Sequence, residues 1–234
     1  MNQVHNNKSG FTIVELMLAM SFVAGLLLAI AMTVIQIGNI YNRGITFKNV
    51  NQVGSSIAKE LQNSINVSSP FNVSGTNNRF INSSYGGRLC TGRYSFIWNY
   101  GKNLKIASTL NKYSDGTNIN FTKISDPNYS YCINPSSAVN KTFAVELLDV
   151  GQFDLAIHSF SITSAASATD SLTGQKLYSV IFEIGTNDQA ALIPGVSGVS
   201  DWLCRPPSDS GSDSIYCSVN RFNIVARAGS TVNK

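Results

Sequence analysis

The stretch Gly10-Phe11-Thr12-Ile13-Val14-Glu15-Leu16 opens an apolar run that continues from Leu16 to Ile35 without a charged residue. About 20 residues at about 1.5 Å each span about 30 Å, the thickness of a bilayer's hydrocarbon core. A single membrane-spanning helix is therefore predicted. Residues 1–10 are polar and carry Lys8 as their one full charge, with His5 nearby. By the positive-inside tendency this leader stays cytoplasmic, and everything after Gln36 lies outside the membrane. Glu15 breaks the pattern. A carboxylate near the bilayer centre costs about 3 kcal/mol, so intramembrane acids usually have partners, and no basic side chain of its own helix lies near it.

An ordinary secretory signal places its small cleavage residues after the apolar stretch. Here the small residue, Gly10, comes before it. A cut after Gly10 removes only the leader and leaves the hydrophobic helix in the mature chain, with a new N-terminus at Phe11. Gly10, Phe11 and Glu15, followed by the apolar run, resemble the cleavage motif of type IV prepilins and pseudopilins, a likeness that covers about the first 30 residues. The resemblance implies that a membrane-embedded prepilin peptidase cuts after Gly10 and methylates the Phe11 amine. It implies that Glu15 pairs with the N-terminal amine of a neighbouring subunit during assembly on an inner-membrane platform. The chain would begin as a single-pass inner-membrane protein in contact with lipid, then enter a pilus, secretion or DNA-uptake filament. Its size and element order are similar to the larger minor pilins and J-type minor pseudopilins, while the presence of Glu15 sets it apart from the tip-most K-type subunit.

Beyond the membrane segment Ile37, Ile40, Tyr41, Ile45, Val50, Val53, Ile57, Leu61 and Ile65 recur mostly at three- and four-residue steps. That is the period of an amphipathic helix. Gly25, Gly38, Gly44 and Gly54 weaken it locally, and Pro70 closes it. From about Arg79 the pattern changes to short β-branched or alternating runs bounded by Gly, Asn, Ser and Pro, which read as strands. The candidates are 94–100, 118–124, 143–148, 153–163, 176–184 and 222–226, forming one sheet, with 153–163 and 177–185 as a hairpin around a long polar loop, 164–175. The expected organisation is a leader (1–10), a transmembrane assembly helix (11–36), an amphipathic helix (37–66) and a β-rich extracytoplasmic head (67–234). The fold class is α+β, a long helix packed on an antiparallel sheet, as the pilin likeness also implies.

Cys90, Cys132, Cys204 and Cys217 all fall in the part placed outside the membrane. An oxidising compartment favours two disulfides, and three connectivities are open. We prefer Cys204 with Cys217 and, by elimination, Cys90 with Cys132; many pilins carry a similar C-terminal disulfide-bounded loop. A zinc site fits poorly, since there is no Cys-x-x-Cys and the only histidines are His5 and His158. The run Asp209-Ser-Gly-Ser-Asp213, with Asp201 upstream, could offer oxygens to Ca2+, as some pseudopilins do, although it lacks the acidic count of a calcium loop. No other cofactor or metal is expected.

Catalytic groupings are absent from the sequence. His158 alternates with Asp154 and Ala156 on a strand face expected to meet solvent, and Glu146, Asp149 and Asp154 are spread over a strand and its turn. The chain is therefore expected not to be an enzyme. Its formal charge of +4 is too small to indicate a nucleic-acid binder. Arg79, Arg88, Arg93, Lys102, Lys105 and Lys112 do fall among Phe80, Tyr85, Tyr94 and Trp98, a mixture that suits single-stranded DNA. The same mixture describes an ordinary sheet whose Tyr94, Phe96 and Trp98 form core. The second functional class is a signal-anchored adhesin or DNA receptor that never enters a fibre.

Overall fold

A computed structural model describes residues 12–75, 77–104, 110–148, 154–169, 174–188, 190–195, 202–206, 208–209 and 215–229, with the backbone alone for 165–169. Two compact units divide the chain at Asn42 and Arg43. One helix, α1 (Ile13–Asn66), contributes to both.

In the first unit α1 is exposed on all sides, with Leu16, Phe22, Leu28 and Ile35 facing outward. It is long and apolar enough to cross a bilayer. In the second unit α1 buries Thr46, Val50, Gly54, Ile57, Ala58, Leu61, Ser64 and Ile65, a stripe at helical spacing that faces the strands. This stripe begins at Thr46 and not at Ile37: Ile37, Ile40 and Tyr41 are exposed.

Among the described residues the strands form three antiparallel sheets where one was expected. The five-stranded sheet runs β1 (Phe80–Asn82), β2 (Gly86–Cys90), β3 (Tyr94–Asn99), β4 (Phe121–Ser125), β5 (Ala144–Glu146) in spatial order. β6 (Leu155–Thr169), β7 (Lys176–Thr186) and β10 (Val219–Ala228) form a three-stranded sheet with β7 central, and β8 (Leu192–Pro194) pairs with β9 (Trp202–Cys204). The hairpin expected around residues 164–175 is present as β6 and β7, but β6 reaches Thr169 and takes up half of the expected loop. A short helix, α2 (Ser130–Ile133), follows β4.

Aromatic side chains join α1 and the two larger sheets into one core. Trp98 stacks on Phe160 at 4.3 Å between ring centres, and Phe71 on Tyr178 at 4.4 Å. The Tyr178 hydroxyl also donates to the Phe71 carbonyl and accepts from the Phe71 amide, both at 2.7 Å, which pins the segment after α1 to β7. β2 escapes a sequence reading because Gly86-Gly87 looks like a turn. Both glycines make room for β3: a Cβ on Gly86 would lie 2.1 Å from the Trp98 carbonyl oxygen, and one on Gly87 2.4 Å from the Trp98 ring.

Side chains of α1 also occupy the outer edge of β10. Gln62 donates to the Val225 carbonyl at 3.0 Å, Asn66 accepts from the Arg227 amide at 3.1 Å, and Asn51 pairs with Asn220. An edge so covered offers little to a foreign strand. Gly54 sets the closeness of this contact, because a Cβ there would sit 2.2 Å from the Phe222 ring. Gly54→Val is expected to destabilise the head by about 2 kcal/mol, since overpacking costs about 1–3 kcal/mol and outweighs the gain in helix propensity. Chemical denaturation measures it; in a Phe222→Leu background the penalty should shrink, and an unchanged penalty would locate the cost elsewhere.

Candidate functional site

At the head of α1, Gly10 and Phe11 lie outside the described residues, and Glu15 lies within them. The Thr12 amide and hydroxyl both donate to Glu15 Oε2, at 3.0 and 2.9 Å, and the Glu15 amide donates to the Thr12 hydroxyl at 3.3 Å. This is a reciprocal capping box, with Thr12 as N-cap and Glu15 at the third helical position. It satisfies amides that the first turn would otherwise leave without acceptors. Thr12 was not an expected site residue, although the Thr-x-x-Glu spacing signals it.

The four cysteines pair as preferred: Cys90 of β2 with Cys132 of α2, and Cys204 at the end of β9 with Cys217 ahead of β10. Cys217 packs with Ala191 and Leu192 in a small cluster against which Trp202 and Val219 lean. Of the candidate calcium run, Asp209 is described, 3.9 Å from the Arg205 guanidinium, and Asp213 and Asp201 lie outside the described residues. Among the described residues no three His, Cys, Asp or Glu side chains gather as a metal site.

Of the basic and aromatic residues of 79–112, Arg88, Phe96 and Trp98 are taken into the interior. Arg88 is buried; its Nε and Nη2 donate to Asn111 Oδ1 at 3.0 and 2.8 Å, its Nη1 to the Tyr131 carbonyl and its Nη2 also to the Ser137 carbonyl. Burial pushes this guanidinium down to about 10. Phe96 and Trp98 are core. Tyr94 lies beneath the Lys123 ammonium, 3.7 Å from its ring centre, and Lys123 in turn pairs with Glu60 of α1. Lys105 lies outside the described residues.

The two described acids, Glu146 and Asp154, have different surroundings. Glu146 accepts from the Tyr113 hydroxyl and the Phe121 amide; burial pushes its carboxyl up, against the pull of these bonds. Asp154 is exposed and Asp149 lies outside the described residues.

His158 is not solvent-facing. The ladder between β6 and β7 shifts register between Ile157 and Ser159, so His158 is the extra residue of a bulge and turns inward. Its side chain is buried beneath Gly101 and beside Trp202, and its Nε2 donates to the Thr186 carbonyl at 3.0 Å. Desolvation lowers the imidazole from 6.5 to about 4. The folded state thus keeps His158 neutral at a pH where the unfolded chain takes up a proton. Its contribution to stability is complete above pH 6.5 and drains away as pH falls towards 4, by about 3 kcal/mol in all. Denaturation at pH 7, 5.5 and 4 checks this, and His158→Gln should flatten the profile by one proton's slope.

No family model, curated protein or solved structure matches this chain.

Proposed function

We propose that this chain is a non-catalytic structural subunit of a type IV pilus, type II secretion or DNA-uptake filament, of the minor pilin or pseudopilin kind. On this reading a prepilin peptidase cleaves after Gly10 and methylates Phe11, the chain waits in the inner membrane, and an assembly platform adds it to other subunits through α1. The observation that carries the reading is the run Gly10-Phe11 shortly before Glu15 in the sequence, with Glu15 in the first turn of a helix whose apolar side chains are exposed all round to Ile40. A lone anchor needs the apolar surface but, beyond the cap shared with Thr12, has no use for a charge within the membrane segment. In a filament the same surface packs against other helices and the carboxylate gains an amine partner. The antiparallel head on the second half of α1 is the arrangement that the pilin likeness implies.

A second reading, a signal-anchored binding protein that stays out of any fibre, draws on the capping box. Thr12 gives Glu15 a task within its own helix. Mass spectrometry of the mature N-terminus decides between them, in the native host and in a strain lacking its prepilin peptidase. The filament reading requires a chain starting at N-methylated Phe11, with the leader retained only in the mutant. An intact Met1 in both strains, or a cut beyond Ile35, overturns it.

A further inference from the structure

Two arginines near the Cys90–Cys132 disulfide are treated in opposite ways. Arg88 has four hydrogen bonds to protein acceptors, as above. The Arg79 guanidinium lies 3.5 Å from the centre of the Tyr129 ring, its Nη1 is enclosed and meets no acceptor, and it enters none of the ion pairs among the described residues. An enclosed donor without an acceptor costs about 1–3 kcal/mol, and more when charged. Nη1 is thus shut off from any ligand, and the Nε–Nη2 edge is the part of the guanidinium left to meet one.

The surroundings of Arg79 are strained and firmly held. Asn77 and Tyr129, at φ 56° and 55°, are the two non-glycine residues with positive φ among those described, and both line the cavity beside Arg79. For a residue as bulky as tyrosine this conformation costs about 1–3 kcal/mol and persists only where neighbours impose it. Three neighbours do so here. The Tyr129 amide donates to the Asp126 carbonyl, and the Asp126 carboxylate caps the following turn through the Ser130 and Tyr131 amides at 2.9 and 3.2 Å. The disulfide ties Cys132 to β2. Gly92, itself at φ +96°, lets the ring pass so close that a Cβ would lie 2.5 Å from it. The tyrosine is thus fixed as a plate on which the guanidinium rests.

We propose that the cavity walled by Asn77, Asn78, Arg79, Tyr129, Cys132 and Ile133 binds a carboxylate carried on an apolar body, with Arg79 as its counter-charge. The volume, about 530 Å³, lies in the range of small-molecule sites. Among the described residues the walls supply one positive charge, two neutral amides and neither an acid nor a second cation. That balance suits a monoanion, and a guanidinium fork matches a carboxylate in two parallel hydrogen bonds. A phosphate dianion would want further cations. Tyr129 and the exposed Ile133 provide apolar wall for the rest of the ligand. A free organic acid and the C-terminal carboxylate of a peptide share this chemistry.

Calorimetric titration of the full-length protein in detergent tests the site, using acetate, phenylacetate, inorganic phosphate, and the tripeptide Gly-Gly-Phe with a free or an amidated C-terminus. Saturable binding of phenylacetate or of the free-acid tripeptide is expected, weakened about tenfold or more by Arg79→Gln. Tighter binding of phenylacetate assigns the site to free organic acids, and tighter binding of the tripeptide to a peptide terminus. The Ile133→Ser substitution alters only an exposed wall; it should weaken phenylacetate towards the affinity of acetate, and it keeps the test decisive if Arg79→Gln fails to fold. Binding of neither carboxylate to the wild type, equal binding of the amidated peptide, tighter binding of phosphate, or indifference to both substitutions would overturn the assignment.

Discussion

Glu15→Gln should leave the chain in the membrane and remove it from the filament fraction, lowering incorporation about 100-fold or more. On the filament reading the carboxylate of one subunit meets the Phe11 amine of another among packed apolar helices, and removing one member of a buried ion pair costs about 3–5 kcal/mol. Membrane insertion of the single chain should not suffer, because an amide is cheaper to place in lipid than a carboxylate. Glutamine is the informative replacement, since it can still accept from Thr12 at the third helical position and so preserves the capping box. Thr12→Val does the reverse: it removes the cap, at about 1 kcal/mol, and keeps the charge. Incorporation measured by quantitative immunoblotting of sheared filaments should therefore collapse in Glu15→Gln and fall only modestly in Thr12→Val. If the two variants behave alike, Glu15 acts through its own helix and the ion-pair role is wrong.

The parts of this fold that were legible in the sequence are those whose signal is long or chemically singular. The apolar run ahead of Gln36 could be read from length alone, and the β6–β7 hairpin from two β-branched runs of comparable length. Cys204 and Cys217 could be matched because they bound a short loop. What escaped reading depends on contacts far apart in the chain. Gly86 and Gly87 resemble turn residues until Trp98 is placed against them. Strand alternation put His158 in solvent, and a single-residue bulge, which has no mark in the sequence, turned it into the core. Arg88 read as a surface cation because nothing nearby announces Asn111 and the carbonyls of Tyr131 and Ser137 as its partners. The division into three sheets is a matter of which strands pair across the chain, and the hydrophobic period does not record that. At the site, Glu15 stood out by its charge, while Thr12 beside it needed the spacing of a cap to be noticed.

The two disulfides should differ in what their loss does. In the chain-entropy account a cross-link stabilises by shortening the unfolded chain, and the 42-residue separation of Cys90 and Cys132 gives about 4 kcal/mol against about 3 kcal/mol for the 13-residue separation of Cys204 and Cys217. Position widens the gap. Cys90 is fully buried in β2, next to the strand that carries Trp98, so Cys90→Ala with Cys132→Ala is expected to lower the stability of the whole head by about 4 kcal/mol or more. The Cys204→Ala and Cys217→Ala pair loosens a small cluster around a two-stranded sheet, and its cost should appear largely as local opening. Urea denaturation gives the global term, and amide exchange separates the two, with lost protection throughout β2–β4 in the first case and confined to β8, β9 and the start of β10 in the second. Equal global losses would mean that the C-terminal loop supports the head as a whole. The first pair also bears on the Arg79 cavity. The four residues of α2 are too few to hold a helix unaided. Without Cys132 anchored to β2, only the Asp126 cap and the packing on Gly92 would keep Tyr129 in its strained conformation under the guanidinium, so carboxylate affinity should weaken in this variant and stay unchanged when Cys204 and Cys217 are replaced.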